Sequence, residues 1–286
     1  DVASGLEAAR EDLARYQWRL RTEMRVDEAL RLTKVEDVHL GPDGGLVRKK
    51  TVRYEKRPEP PPPRPDAHHA MDFEQARYNM VEQQIRTWDV LDQDVLDLLF
   101  TVRREEFVLP QYRALAFADL ELPIGSGERM WAPKLEARVV QSLRLTPQDS
   151  VLEIGTGSGY LTALLASRAQ DVTTVEIDPA LAATGRARLA QHGFHNVRCE
   201  VGDGAQGFGN ETYDVVVLTG STPLLPGRLL AQLKPNGRLF AIVGEAPVMT
   251  ARLVTWTAPG AHVTTPLFET VVAPLRHAAT PDRFTF

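Results

Sequence analysis

Three glycines follow an apolar run in the stretch VLEIGTGSGYLTALLA, residues 151–166. Gly155, Gly157 and Gly159 occupy alternate positions, directly after a predicted strand that contains one acid, Glu153. A glycine-rich turn between a strand and a helix lets the main chain approach a ligand closely. The order G-x-G-x-G differs from the G-x-G-x-x-G of dinucleotide sites, because the third glycine comes one residue early. The loop therefore predicts a bound small molecule, and the identity of that molecule must be inferred from other residues.

Three carboxylates distinguish between ligands. Glu153 is predicted to be buried in the strand, where an unpartnered carboxylate is costly; a ligand's ammonium would supply a partner, whereas a pyrophosphate would be repelled. Glu176 ends the next strand and can accept hydrogen bonds from both hydroxyls of a ribose. Asp203, in VGDGA after the third strand, can accept from an exocyclic amine such as that of adenine. An ammonium, a ribose and an adenine together describe S-adenosylmethionine, which we predict as the cofactor.

Single features of this set have simpler explanations. Glu176 alone is also typical of a solvated strand end, and Asp203 before a glycine is typical of a turn. Four features in order on consecutive strands make coincidence improbable. The residues predicted to bind the cofactor are Glu153, Gly155, Thr156, Gly157, Gly159, Glu176, Asp203 and Gly204.

Strands and helices alternate around this loop. After SVLEI and its helix come DVTTVEI, PALAATGRARLAQH, NVRCEVG, YDVVVLTG, LLPGRLLAQL and GRLFAIVG. Near-continuous apolar strands between helices predict a parallel sheet covered on both faces. The later stretches ARLVTWTA and TPLFETVVAPL predict an antiparallel pair at the edge. The predicted fold class is α/β, with a doubly wound, mostly parallel sheet.

Helices are predicted ahead of the sheet. DFEQARYNMVEQQIRTWDV and DQDVLDLLFTV have apolar residues at helical spacing. Pro133 can open a third helix, since proline is favoured in a first turn. Its predicted apolar face is formed by Leu135, Val139, Val140 and Leu143.

A proline tract divides the chain of 286 residues. The stretch EPPPPRP favours an extended spacer, so we predict a linker over residues 57–70. Residues 1–56 predict a small α+β appendage, with a helix over Val2 to Leu20 and two strands around a Pro-Asp-Gly-Gly turn. No chemical motif indicates its role, and Met71 is an alternative natural start for the main domain, residues 71–286.

Composition narrows the class of protein. The net charge of −5 argues against a nucleic-acid-binding protein, which would have a basic face. The single cysteine, Cys199, excludes internal disulfides and cysteine-rich metal sites and fits a reducing compartment. No apolar run approaches the about 18 residues of a membrane span, and the N-terminus lacks a signal pattern. We therefore expect a cytoplasmic protein without a metal or a membrane partner; the oligomeric state stays open.

With these residues identified, residues 71–286 resemble the protein-L-isoaspartate O-methyltransferases. VLEIGTGSGYLTALLA is similar to that family's first motif. RREEFVLPQYRALAFADLELPIG resembles its Arg-Glu-x-Phe-Val segment and the following loop, where Asp119, Pro123, Ile124 and Gly125 match. The resemblance implies a Rossmann-like class I methyltransferase fold. It also implies protein repair, in which a methyl group passes from S-adenosylmethionine to the free carboxylate of an isoaspartyl residue in damaged protein.

The resemblance is incomplete in the loop expected to hold the acceptor. The family continues with Gly-Gln-Thr-Ile-Ser, whereas this chain has Glu128, Arg129 and Trp131 at the glutamine, threonine and serine positions. Glu128 is expected to repel a carboxylate, and Arg129 is expected to pair with it. The family's Thr-Ala-Ala after the fourth strand is replaced here by Thr219, Gly and Ser221. The residues predicted to act in catalysis are Arg129, Thr219 and Ser221.

The predicted reaction needs no general base. A carboxylate with an ordinary pKa near ~4 is already ionised at neutral pH. The enzyme would supply alignment and a dry pocket. Two alternatives remain open: a methyltransferase for another acceptor, such as a small carboxylic acid, and a non-catalytic S-adenosylmethionine-binding protein.

Overall fold

The computed structural model describes residues 18–25, 30–40, 46–56, 72–258 and 260–280. The chain divides into two compact units, Asp1–His69 and Ala70–Phe286. The predicted linker over residues 57–70 lies outside the described residues, as does most of the predicted N-terminal helix. The last residues of that helix prediction, 18–20, belong to a strand instead.

The first unit contains three antiparallel strands in the order β1-β2-β3. Strands β2 and β3 are paired up to Leu40, which lies opposite Leu46. The two strands thus flank residues 41–45, and the predicted pair of strands is confirmed. The strand β1 was not predicted, because the apolar residues of this segment also fit a helical spacing. The strands are β1 (Trp18–Arg25), β2 (Leu30–Leu40) and β3 (Leu46–Lys56).

The second unit begins with helices that precede its main sheet. Asp72 caps the first helix, since its side chain accepts a hydrogen bond from the main-chain nitrogen of Gln75 at 3.1 Å. Pro133 occupies the first turn of the third helix, and its predicted apolar face is buried, as expected. The helices here are α1 (Phe73–Met80), continued by a π-helical turn (Val81–Ile85) and a 3-10 turn (Arg86–Trp88), α2 (Gln93–Thr101) and α3 (Pro133–Leu143).

Between α2 and α3 the chain is mostly irregular. It forms 3-10 turns at Arg104–Glu106 and Pro110–Leu115 and then a small antiparallel hairpin. The hairpin consists of β4 (Leu122–Gly125) and β5 (Glu128–Met130), which carry the loop that differs from the family pattern.

A seven-stranded sheet forms the centre of the second unit, in the order β12-β11-β10-β9-β6-β7-β8. Strands β6 to β10 are parallel, and β11 and β12 form the antiparallel edge, so the α/β prediction is confirmed. The strands are β6 (Ser150–Ile154), β7 (Asp171–Glu176), β8 (Val197–Val201), β9 (Tyr213–Thr222), β10 (Leu233–Glu245), β11 (Val248–Ala258) and β12 (Ala261–Glu269); the helices between them are α4 (Tyr160–Ala166), α5 (Pro179–Gln191) and α6 (Gly227–Ala231).

The sheet has a topological switch point beside its first strand. From β6 the chain adds β7 and β8 on one side, and then β9 and β10 on the other. Ligands of open parallel sheets bind outside the carboxyl ends of the strands at such a point. The predicted glycine loop follows β6 directly, so the fold places it where a ligand is expected.

Among the residues that the structure describes, no helix is both long and apolar enough to cross a bilayer.

Candidate active site

A cleft opens at the carboxyl ends of the parallel strands. The cleft has two halves, which differ in how their side chains are held. The strand-end half consists of Gly155, Gly157, Glu176, Asp203 and Gly204, and the hairpin half of Glu121, Glu128, Arg129, Trp131 and Arg276.

The hydroxyl of Thr219 links the glycine loop to the neighbouring strand β9 through hydrogen bonds. Thr219 of β9 donates to the carbonyl oxygens of Ile154 and Gly155, at 2.8 and 2.9 Å. Gly155 has a φ of +101°, and a Cβ atom there would lie 2.1 Å from Oγ1 of Thr219. No other residue fits at this position, and Thr219 itself lines the cleft. The structure thus gives Thr219, predicted as catalytic, a role in positioning the loop.

Glu176 is oriented by main-chain donors on both of its carboxylate oxygens. Oε2 accepts from the nitrogen of Gly157 at 2.8 Å, and Oε1 accepts from that of Asp178 at 3.1 Å. The side chain is 6% exposed and lines the cleft. Each carboxylate oxygen has a second lone pair, so Glu176 can also accept hydrogen bonds from a ligand.

Asp203 lies at the far end of the strand-end half. Its Oδ1 accepts from the nitrogen of Ala205 at 3.0 Å, and its Oδ2 lies 2.7 Å from Nδ1 of His277. Burial raises the pKa of Asp203, but the hydrogen bonds from His277 and Ala205 outweigh burial and hold it below its ordinary value. The carboxylate is therefore ionised at neutral pH and can accept from a ligand amine.

Glu153 does not reach the cleft, which corrects the prediction that it faces a ligand's ammonium. Consecutive residues of a strand point to opposite faces, and Ile154 lines the cleft. Glu153 instead accepts hydrogen bonds from Thr162 and Thr174, at 2.5 and 2.6 Å, and is fully buried. Burial raises its pKa to about 7; the two threonine hydroxyls oppose this shift, and the nearby charge of Glu176 adds to it.

Two further residues predicted for the cofactor lie beside the cleft. Thr156 shares a hydrogen bond of 2.7 Å with Thr174 and lines a smaller adjoining cavity. Gly159 has a φ of +85°, and a Cβ atom there would lie 3.3 Å from the carbonyl oxygen of Gly185. Gly159 is therefore needed for the packing of helix α5, and the structure gives it no contact with the main cleft.

The hairpin half is built from ion pairs. Arg129 donates to the carbonyl oxygen of Glu121 at 2.7 Å, and its Nε lies 3.8 Å from the carboxylate of the same residue. Arg276 donates from Nε and Nη2 to Oε1 of Glu128, at 2.9 and 2.6 Å. Burial raises the pKa of Glu121, whereas the charge of Arg129 lowers it. Both guanidinium groups line the cleft, and a carboxylate partners each one.

Ser221 is not in the cleft, which corrects its predicted catalytic role. Its side chain is 1% exposed, and its hydroxyl donates to the carbonyl oxygen of Val272. Its main chain pairs with the C-terminal segment through Ala273 and Leu275. That segment covers the serine, and it could not be anticipated from the pattern TGS alone.

Two groups that shape the hairpin half, Arg104 and Arg276, were not predicted from the sequence. Arg104 is buried and donates to the carbonyl oxygens of Ala116 and Trp131, at 2.8 and 2.6 Å; it also pairs with Glu136. Burial lowers the pKa of Arg104 to about 10, so it stays charged at neutral pH and fixes the end of the hairpin. Arg276 is 148 residues from Glu128 in the chain, and no local pattern predicts such a contact.

Comparisons with a family model and with curated proteins indicate the same family. Residues 75–277 match the model of the protein-L-isoaspartate(D-aspartate) O-methyltransferase family. A protein-L-isoaspartate O-methyltransferase of Gloeobacter violaceus is 39% identical over 197 residues, which cover 68% of this chain and 96% of the relative. One from Klebsiella pneumoniae is 41% identical over 170 residues, 59% of this chain and 82% of the relative.

Solved structures agree on the fold. A protein-L-isoaspartate O-methyltransferase aligns over 69% of this chain and 65% of its own, with a TM-score of 0.60 and 24% identity. A Plasmodium falciparum protein in complex with S-adenosyl-L-homocysteine aligns over 71% of this chain and 97% of its own, with a TM-score of 0.59 and 18% identity.

Proposed function

Because the chain belongs to the protein-L-isoaspartate(D-aspartate) O-methyltransferase family, we propose that its cleft carries out that family's reaction. The reaction is methyl transfer from S-adenosylmethionine to the free carboxylate of an isoaspartyl residue. The observation that carries the proposal is the meeting of Gly155, Glu176 and Asp203 in one cleft, at the ends of three neighbouring strands of a chain that matches the family model.

The strand-end half fits the cofactor. Glu176 has lone pairs directed to the cleft for the ribose hydroxyls, and the ionised Asp203 can accept from the adenine amine. Gly155 and Gly204 are needed for the close packing of the loops that line this half, since a Cβ atom on either would clash with a neighbouring side chain. When bound, S-adenosylmethionine supplies an electrophilic methyl group on a sulfonium.

The hairpin half receives the acceptor in this proposal. Arg129 lines the cleft and is 54% exposed, so an entering carboxylate can reach its guanidinium. The carboxylate is already ionised and needs no base. The chain's contribution is alignment, with Arg129 as the charge partner and Trp131 as an apolar wall that limits the access of water.

The product accounts for a repair function. Methoxide leaves an ester carbonyl much more readily than oxide leaves a free carboxylate. The backbone nitrogen of the following residue therefore attacks the ester carbonyl, methanol is released and a succinimide forms, which water reopens partly to aspartate. We propose damaged proteins as the partners and the cytoplasm as the place of action. The single thiol, Cys199, is compatible with a reducing compartment.

A labelling assay tests the proposed reaction. The enzyme is incubated with methyl-labelled S-adenosylmethionine and a peptide that contains one isoaspartyl residue. We expect label on the peptide that mild alkali releases as methanol, because the product is an ester. Label that resists alkali would show that another atom is methylated, and the absence of label alongside tight binding of S-adenosylhomocysteine would show that the peptide is not the acceptor.

A further inference from the structure

The C-terminal segment is fixed along the edge of the cleft by main-chain contacts. Ser221 donates to the carbonyl oxygen of Ala273 and accepts from the nitrogen of Leu275, both at 2.9 Å. Gly220 permits this approach, since a Cβ atom there would lie 2.9 Å from the nitrogen of Leu275. The segment then presents Arg276 to the cleft. These main-chain contacts therefore set the backbone position of Arg276 beside the cleft.

Arg276 joins the C-terminal segment to the turn of the hairpin. Besides its two hydrogen bonds to Glu128, its Nη2 lies 3.3 Å from the carbonyl oxygen of Ser126. These contacts use the Nε–Nη2 edge of the guanidinium. A guanidinium has five N–H donors in a plane, so a second carboxylate can bind on the Nη1 side.

The charges around this pair are mostly negative. Glu128 is the carboxylate in contact with Arg276, and the charges of Asp178 and Glu176 also attract it. Loss of Arg276 would leave Glu128 as an unneutralised charge on the path of an anionic acceptor. Like charges a few ångströms apart repel each other, so this charge would oppose the binding of a carboxylate.

We propose that Arg276 is a specificity-determining residue that, by neutralising Glu128, lets the hairpin half bind an acceptor carboxylate. The inference rests on the function proposed above and adds a residue and a charge pair to it. Glu128 alone opposes a carboxylate, and Arg276 alone attracts one. The two effects have opposite signs, so the single and double variants should form a pattern that general damage to the fold does not produce.

Binding of two peptides tests this pattern directly. Wild-type enzyme loaded with S-adenosylhomocysteine is titrated calorimetrically with an isoaspartyl peptide and with its twin, in which the same carboxylate is an amide. The variants are Arg276→Gln, Glu128→Gln and the double substitution. The control is Arg198→Gln, which removes an arginine from another exposed ion pair, with Glu211, away from the cleft.

For the isoaspartyl peptide, we expect Arg276→Gln to weaken binding about tenfold, the lower end of the change expected for losing a hydrogen bond to a charged group. Glu128→Gln should tighten binding, and the double variant should recover most of the loss. Binding of the amide twin should change less than twofold throughout, as should both peptides with Arg198→Gln. Equal losses for both peptides, or no loss with Arg276→Gln, would overturn the proposal.

The same proteins are assayed for methyl transfer, which separates this proposal from the function on which it rests. Wild-type turnover with a flat pattern across the variants would leave the function standing and reject the role of Arg276. No wild-type turnover on the isoaspartyl peptide would reject the function, and the binding data would still decide whether Arg276 and Glu128 set a preference for carboxylates.

Discussion

The two halves of the cleft hold their charged groups in different ways. In the strand-end half, Glu176 and Asp203 accept hydrogen bonds from main-chain nitrogens within a few residues of strand ends. In the hairpin half, Arg129 and Arg276 are held mainly by glutamates, and the two arginine side chains are about half exposed. Main-chain donors are fixed by the sheet, whereas exposed ion pairs contribute little to rigidity.

We infer from this difference that the two halves have different roles. A site made of strand ends keeps its geometry as long as the sheet is folded, which suits a cofactor that every catalytic cycle uses. A site made of ion pairs can exchange partners with an entering anion. We expect substitutions in the strand-end half to act on cofactor affinity, and substitutions in the hairpin half to act on the acceptor.

The largest effect should come from the glycine loop. Replacing Gly155 by alanine puts a Cβ atom 2.1 Å from Oγ1 of Thr219, in a backbone conformation that disfavours side chains. Strain of this kind costs about 1–3 kcal/mol before the clash is counted. The free loop would relax to relieve it and binding would have to restore it, so with the clash added we expect affinity for S-adenosylhomocysteine to fall about 100-fold. Calorimetric titration measures this affinity. Gly193→Ala is the control, because Gly193 also has a positive φ but has no atom within 4 Å of the added carbon.

If Gly155→Ala bound the cofactor normally, Thr219 would have to move without consequence. The claim that main-chain geometry fixes the strand-end half would then be wrong.

The next effect concerns stability beneath the strand-end half. Burial raises the pKa of Glu153 from 4.5 to about 7, so the folded state binds a proton more tightly than the unfolded state does. The stability that this proton provides is complete below pH 4.5 and is lost as the pH rises through 7. Glu153→Gln should therefore be more stable than wild type above pH 7, by about 3 kcal/mol, and the difference should vanish towards pH 4.5.

Urea unfolding between pH 4.5 and 8 measures this difference. Exposed Glu269 provides the control, since Glu269→Gln should leave the pH dependence unchanged. A Glu153→Gln protein that is less stable than wild type at pH 8 would mean that the carboxylate is buried in its charged form with a partner that favours it.

Glu176→Ala should weaken cofactor binding with a smaller loss. It removes a charged acceptor, and hydrogen bonds to charged groups contribute about 1.5–3 kcal/mol, so we expect a 10- to 100-fold loss of affinity for S-adenosylhomocysteine. Affinity for the isoaspartyl peptide, measured in saturating S-adenosylhomocysteine, should stay within about twofold of wild type, consistent with weak coupling of separated sites. A loss confined to peptide binding would reverse the assignment of the two halves.

Arg129→Ala should have the opposite signature. Its ion pair with Glu121 is exposed, so we expect kcat/KM for the isoaspartyl peptide to fall about two- to fivefold, as for loss of a solvent-exposed charge contact. Affinity for S-adenosylhomocysteine should not change. Steady-state kinetics with Arg129→Lys as the matched control distinguishes loss of the charge from loss of the fork-shaped guanidinium. An unchanged kcat/KM in Arg129→Ala would show that Arg129 has no such role.

The smallest effect should come from removing residues 1–70. The family match begins at residue 75, and residues from Ala70 onward form a compact unit of their own. A chain that begins at Met71 should fold and bind S-adenosylhomocysteine with unchanged affinity. Aggregation of this shortened chain, or weaker binding, would show that the first unit contributes to the site.

The sequence was sufficient to predict the strand-end half because the relevant residues follow predicted strands. Parallel strands bring their carboxyl ends to one edge, so Gly155, Glu176 and Asp203 had to lie near each other once the alternation of strands and helices was recognised. The antiparallel edge, β11 and β12, was predicted from the change in pattern.

The remaining errors have a common physical origin. The partners of Glu153 are two threonine hydroxyls, on α4 and β7, and the sequence does not say which face of the strand an acid occupies. Ser221 is buried by a segment about fifty residues later in the chain. Side-chain contacts between distant segments depend on packing, which local periodicity does not encode.

One competition experiment tests the central claim most directly. Wild-type enzyme receives labelled S-adenosylmethionine and an equimolar mixture of an isoaspartyl peptide and its aspartyl twin, and the two products are separated and counted. We predict label on the isoaspartyl peptide, essentially none on its twin, and conversion of the labelled product to succinimide. Equal labelling of both peptides, or labelling of neither by enzyme that binds S-adenosylhomocysteine, would contradict the assignment of this cleft to isoaspartyl methylation.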